Sequence, residues 1–243
     1  MSEILREHFQ LRETIVTIFA KEKGHIDAAK RSIRQQRAHL EDFIRDDPFF
    51  QITLEPYDLS ENDAQDAPEI VRRMIRASAV FGIGPMSAVA GVIAGFAVQA
   101  MMNEGATYAV VDNGGDISIL NDQPIVVGIY AGSSPIKDLA FEIAARRTPL
   151  GICTSSGSIG PSISFGFADA AVAISENVAL ADAAATALGN AVTASGPLQE
   201  CFSAIDRPGI DGALAIRGEE MALWKDLPPL RRARMSAERI TRG

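Results

Sequence analysis

The 243 residues carry a formal net charge of −8, with 47% hydrophobic and 22% charged side chains. That balance builds a sizeable core, as one large domain or two tightly fused halves, and argues against a nucleic-acid or anionic-membrane surface. Two cysteines without metal-like spacing, Cys153 and Cys201, and a start with no apolar signal-like run point to a reduced, cytoplasmic setting.

Residues 9–20 are rich in β-formers and predict one or two early strands, followed by a turn over Lys21 to Gly24. From Asp27, read as an N-cap, to about Arg45, Ile33, Leu40 and Phe43/Ile44 fall at helical spacing. Lys30, Arg31, Arg34 and Arg37 cover the other face as a solvated surface, and Asp47-Pro48 ends the helix. Residues 46–67 are irregular and acidic. Pro68 opens a helix to Val80 at its first position, with Arg72, Arg73 and Arg76 opposite an apolar face. These arginines could hold phosphate, but exposure is the favoured reading.

Ala79 to Met102 is long and apolar enough for a membrane span. Gly82-Ile83-Gly84-Pro85 interrupts it, and no basic residue closely follows, so the stretch reads as a fully buried central helix opening at Gly84-Pro85. Gly91 and Gly95 imply close packing against another backbone. After it, strand and loop alternate through Pro124–Tyr130, Leu139–Ala145 and Leu150–Cys153, without regular helices. That order predicts an α+β fold with antiparallel or mixed sheets. A strand at Ala170–Ser175, a small-residue helix from Val178 to Val192 and a closing hairpin over 212–224 follow. The arginine-rich tail from Pro228 reads as peripheral or partly ordered.

Three stretches carry candidate chemistry. Tyr108 to Ile119 holds Asp112-Asn113-Gly114-Gly115-Asp116 between two β-prone runs. Its glycines serve either a plain hairpin or a turn whose N–H groups face a ligand. Thr154-Ser155-Ser156-Gly157-Ser158-Ile159-Gly160 after a strand is either a phosphate-binding loop of N–H and O–H donors or a flexible connection. On the small-residue helix, Asp182 and Thr186 are four apart and share a face. A carboxylate and a hydroxyl on an apolar helix are costly to bury without partners, and an oxygen pair suits Mg²⁺ better than zinc. The competing reading is an Asp near the helix dipole and a Thr bonded to its own helix.

Taken in order, Asp112-Asn113-Gly114-Gly115-Asp116-Ile117, Thr154-Ser155-Ser156-Gly157 and Ala181-Asp182-Ala183-Ala184-Ala185-Thr186-Ala187 resemble the ApbE superfamily. Its flavin transferases carry a Gly-Gly-Asp-Ile hairpin, a Thr-Ser-Gly loop and an Asp-Ala-x-x-Thr helix. The Gly-Pro-Met-Ser-Ala-Val-Ala-Gly run that opens the buried helix is more similar to the UPF0280 branch. By resemblance, the fold is ApbE-like and Asp182 and Thr186 bind Mg²⁺ with help from a backbone carbonyl. Gly114, Gly115, Asp116, Thr154, Ser155, Ser156 and Gly157 wall a pocket for FAD. The likeness covers roughly residues 80–225 of one domain, between an N-terminal part (1–80) and a basic tail (226–243).

Two family motifs are replaced. A Lys-Gly-Tyr-Ala-x-Asp run corresponds to Ala90-Gly91-Val92-Ile93-Ala94-Gly95, so Ala90 stands for the lysine and Gly95 for the aspartate. A His-x-x-Asp-Pro-x-Thr-Gly motif corresponds to residues 159–166, and the only histidines, His8, His25 and His39, lie near the N-terminus. Three functions therefore compete: a Mg²⁺-dependent enzyme handling flavin or another phosphorylated small molecule, a non-catalytic module binding such a ligand, and an assembly protein. The small-residue helices favour a homodimer.

Overall fold

A computed structural model describes residues 3–59, 66–155 and 166–234. Strands β1 (Leu5–Leu11) and β2 (Thr14–Ala20) form a hairpin, followed by α1 (Lys23–Asp46) and the short α2 (Phe49–Ile52). Helix α3 (Glu69–Ala79), a 3₁₀ turn (Pro85–Ala88) and α4 (Val89–Asn103) precede β3 (Ala109–Asn113), β4 (Asp116–Asn121), β5 (Ile125–Ile129), β6 (Leu139–Ile143), β7 (Arg146–Ser155) and β8 (Ala170–Ser175). Helix α5 (Val178–Ala191), a 3₁₀ segment (Leu198–Ile205), β9 (Gly212–Arg217), β10 (Glu220–Lys225) and β11 (Leu230–Arg232) complete the described chain.

One antiparallel sheet runs β1-β2-β3-β4-β7-β8-β9-β10; a second runs β11-β6-β5. Because strand side chains alternate, the large sheet separates two cores. Val110, Ile119, Ile152, Val172, Ile174, Leu214 and Ile216 face the small sheet. On the other side Val16, Ile18, Val111 and Leu120 pack under α1, α3 and α4, while Ala171, Ala173, Ala213 and Ala215 pack under α5. Alanines on both the strands and the helix let α5 approach the sheet closely, which a larger side chain on either would prevent. The fold is α+β.

Several local expectations are corrected. Helix α1 begins at Lys23, so Gly24 is helical and Asp27 sits one turn inside, ion-paired to Lys23 at 2.8 Å rather than capping. Pro68 occupies the cap of α3 instead of its first turn. The buried helix starts as a 3₁₀ turn at Pro85 and becomes α-helical only at Val89. Residues 230–232 of the presumed peripheral tail pair with β6, and Arg231 bonds Glu142 at 3.1 Å.

The apolar stretch Pro85–Asn103 remains long enough to cross a membrane and is half buried against the rest of the chain. Its glycines pack inside the molecule: a Cβ on Gly91 would lie 2.7 Å from Asp182 Cβ, and one on Gly95 would lie 2.6 Å from Val178 Cγ1. The small-residue stripe thus serves α4–α5 packing within one chain.

Arg72, Arg73 and Arg76 converge on Glu69 at 2.9–3.0 Å, and Arg73 lies over the Phe96 ring at 4.2 Å. The charged face of α1 is likewise paired, Arg31 to Glu104 and Arg37 to Glu13 and Glu41. Asn177 caps α5, its side chain accepting from the amides of Ala179 and Leu180 at 3.2 and 3.4 Å. Asn177→Ala is expected to cost about 1 kcal/mol in urea unfolding, and no loss would show the cap to be dispensable.

Candidate functional site

The first turns of α4 and the middle of α5 meet above the centre of the large sheet. Asp182, 6% exposed, accepts a hydrogen bond from Gly91 N at 2.7 Å on Oδ2, and the Ala90 amide supports the same carboxylate. These amides are among the unsatisfied donors of a helix start, so Asp182 caps α4 from its neighbour. Only glycine at 91 allows this approach, because a Cβ there would also come within 2.8 Å of Val178 O. One turn along α5, the Thr186 hydroxyl points to Ser87 O at 3.5 Å, the long limit of a hydrogen bond.

Beneath the helices lies the β3–β4 turn. Asn113 pairs with Asp116 across a two-residue loop in which Gly114 and Gly115 have φ of 69° and 105°. Positive φ at both positions is the requirement of a type I′ hairpin, which the two glycines meet without strain. Asp112 Oδ1 accepts from Gly115 N at 2.9 Å and fixes the turn. The Asn113 side chain donates to Ala90 O at 3.0 Å, tying the hairpin to α4. Asn113→Ala is expected to cost about 0.5–1.5 kcal/mol in chemical denaturation, the net worth of one hydrogen bond, since Ala90 O keeps its partner within α4. An unchanged midpoint would mean the tie is unimportant.

Asp116 faces Cys153 across β4 and β7, and the thiol hydrogen-bonds its carboxylate. Burial, then the charges of Asp182 and Asp112, push the Asp116 carboxyl well above the usual aspartate range. Burial alone raises Asp182 to about 7, against the two backbone donors that lower it. The Cys153 thiol is pushed up by burial and by both carboxylates, and also approaches Val178 O at 3.6 Å. Among the described residues, no lysine or arginine figures in the main influences on either carboxylate. Buried Asp182 and half-buried Asp116 thus stand together with no counter-cation among the described residues, a costly arrangement that a bound cation would relieve.

The structure therefore brings Asp116, Asp182 and Thr186 to one locality. It corrects the placement of Thr154 and Ser155, which continue β7 and pair with Val172 and Ala171 of β8 instead of forming a loop. The accompanying strand β8 satisfies their backbone groups, which overrides their turn-like composition. Alternation places Ser155 on the Cys153 side of the sheet and Thr154 on the opposite side. A Cβ on Gly115 would be 3.9 Å from Thr154 Cβ, so the turn abuts the end of β7, while Gly114 is exposed with open space around it. Ser156 and Gly157 lie outside the described residues.

Sequence reasoning did not single out Cys153, and the resemblance implied a backbone carbonyl without saying which; the one beside Thr186 is Ser87 O. The alternation of β7 marks Cys153 as facing away from Ile152, but a backbone carbonyl leaves no signal in side-chain identity.

Among the described residues no three His, Cys, Asp or Glu side chains form a metal-holding group. The oxygens present are a carboxylate, a hydroxyl and a main-chain carbonyl, with Asp116 nearby. That set fits Mg²⁺, which commonly takes one or two carboxylates and completes its shell with water or ligand phosphate.

A family model described as AbpE bacteria matches residues 2–204. The chain is 58% identical over 240 residues to a UPF0280 protein of Methanothrix thermoacetophila, covering 99% of this chain and all of that one. A UPF0280 protein of Methanosarcina acetivorans is 55% identical, over 98% of this chain and 94% of the relative. Among solved structures, the apo flavinyl transferase ApbE of Pseudomonas stutzeri superposes with a TM-score of 0.58 at 12% identity, over 91% of this chain and 94% of that one. The ApbE protein of Thermotoga maritima gives 0.53 at 14% identity, over 99% and 100%. At such identities the structural likeness is one of fold.

Proposed function

The chain belongs to the UPF0280 branch of the ApbE-like family, and from that premise we propose that it is a Mg²⁺-dependent protein handling flavin or another nucleotide. The observation that carries this reading is the buried Asp182, with Thr186 one turn along and Ser87 O beside it, on a fold shared with flavin transferases. Asp182, Thr186 and the Ser87 carbonyl would hold the ion. When bound, Mg²⁺ neutralises charge on phosphate oxygens. Gly115, Asp116 and Ser155 stand on the sheet side of this locality, and the Gly114 N–H offers a donor to an anionic group, the Gly115 N–H being held by Asp112 Oδ1. FAD is the ligand of first choice.

Binding without transfer is the second reading, and the placement of the histidines favours it. His8 on β1 and His39 on α1 are exposed, and His25 of α1 lies against Glu104 O just past the far end of α4, so none is shown within reach of Asp182 and Thr186 to serve as a general base. Titration calorimetry with FAD, FMN and ADP, with and without Mg²⁺, tests both. Mg²⁺-dependent binding supports the proposal, and a transfer assay with a protein hydroxyl acceptor then separates enzyme from module. Failure of all three ligands to bind would remove flavin and leave a shared fold with another ligand.

A further inference from the structure

The peptide group between Ala90 and Gly91 is held at both ends. Its carbonyl accepts from Asn113 Nδ2 at 3.0 Å, and its N–H donates to Asp182 Oδ2 at 2.7 Å. The β3–β4 hairpin and α5 therefore grip the same peptide of α4. The Ala90 carbonyl also serves the helix ladder, so the bond from Asn113 is an additional one. A carbonyl that accepts a further hydrogen bond polarises its peptide and makes the attached N–H a stronger donor.

Asn113 has a fixed base for this work. Its backbone, at the end of β3, pairs with Val16 of β2 on one side and Asp116 of β4 on the other. Alternation sets its side chain on the face of Val111, under α4, where it is 7% exposed. An amide also suits the position chemically. A carboxylate at 113 would oppose the Ala90 oxygen and add another acid beside Asp116. A lysine or arginine would bring a permanent charge into the locality that a metal ion is to occupy. A neutral donor avoids both.

We infer that Asn113 is a positioning residue for the metal carboxylate: through the Ala90–Gly91 peptide it aims the amide against which Asp182 is oriented. The inference rests on the reading of Asp182 as a Mg²⁺ ligand. Partners of this kind, which touch a ligand and not the ion, commonly change metal affinity when removed.

The test is calorimetric titration of the full chain with MgCl₂, alone and with FAD present, for the wild type, Asn113→Ala and Asn177→Ala. Asn177→Ala takes a cap from the helix that carries Asp182 and leaves the Ala90–Gly91 peptide untouched, so it controls for lost stability. The expected result is a Mg²⁺ affinity weakened about tenfold in Asn113→Ala and unchanged in Asn177→Ala. In the metal-free protein, the Gly91 amide proton of Asn113→Ala should resonate upfield of its wild-type position and exchange faster, the signature of a weaker bond to Asp182. Full Mg²⁺ affinity in Asn113→Ala, an equal loss in both variants, or an unmoved Gly91 resonance overturns the inference and leaves the metal reading standing. A wild type that takes up Mg²⁺ in neither condition overturns the metal reading and this inference with it.

Discussion

Replacing Asp182 is expected to abolish any Mg²⁺-dependent gain in FAD affinity, a loss of at least about tenfold, or about 1.4 kcal/mol. Two substitutions separate its two roles. Asp182→Ala removes both the charge and the acceptor for the Gly91 amide, leaving a buried donor unpaired at a further cost of about 1–3 kcal/mol in stability. Asp182→Asn keeps an acceptor oxygen at the start of α4 and removes only the charge, so it should fold well and still lose the metal effect. If Asp182→Asn bound FAD with the full Mg²⁺ enhancement, the metal assignment would fail.

The same residue gives a pH signature. A free aspartate ionises near 3.8, whereas burial raises Asp182 to about 7 in the fold. Between those values the unfolded chain has released its proton and the folded one retains it. Stability from this group therefore falls as pH rises from about 4 to about 7, and stays reduced above that range. Asp116 beside it has its own carboxyl pushed up, chiefly by burial, and acts in the same direction. Bound Mg²⁺ competes with the proton, so its stabilising increment in a thermal melt should be larger at pH 8 than at pH 5.5. Asp182→Asn should lose that increment and its own share of the pH slope, leaving the share that Asp116 contributes. An increment independent of pH in the wild type would contradict a carboxylate ligand of raised pKa.

How much of this was legible depended on whether the information was local. The Gly114–Gly115 hairpin, the break at Gly82–Pro85 and the shared face of Asp182 and Thr186 follow from turn chemistry and helical period, and the structure keeps all three. Thr154 and Ser155 were misread because their composition suits a loop, while β8 at their side was invisible to a local reading. The start of α1 was set too late because the apolar period begins only at Ile26, although the helix already runs from Lys23. The meeting of Asp116, Cys153 and Asp182 joins residues up to 66 positions apart, and only the sheet register brings them together. The polar contact between hairpin and helix through Asn113 is of the same kind.

At Gly151 one added methyl group would press directly on the start of α5. This glycine lies mid-strand in β7, paired with Ser118 of β4 and Ser175 of β8, so its backbone is held on both sides. A Cβ built there would be 2.5 Å from Val178 Cα and 2.9 Å from Val178 Cβ. The nearest obstacle is the backbone of the first residue of α5, which cannot swing aside as a long side chain would. Relief requires lifting the start of α5, and with it Asp182 one turn further along. Gly151→Ala is therefore expected to cost about 2–3 kcal/mol by overpacking, lowering the melting temperature by roughly 5–10 °C for a chain of this length. Its φ is not in the left-handed region, so backbone strain plays no part. Gly24 is the matched control: it lies in the first turn of α1 with nothing within 4 Å of a built Cβ. There alanine meets no obstacle and lowers the entropy of the unfolded chain, so Gly24→Ala should stabilise by about 0.5–1 kcal/mol. Opposite signs from one chemical change would isolate the close approach of α5 to β7 as the cause. Equal melting temperatures for Gly151→Ala and the wild type would show that α5 is free to move away from the sheet, and the capping of α4 by Asp182 would then lose its rigid support.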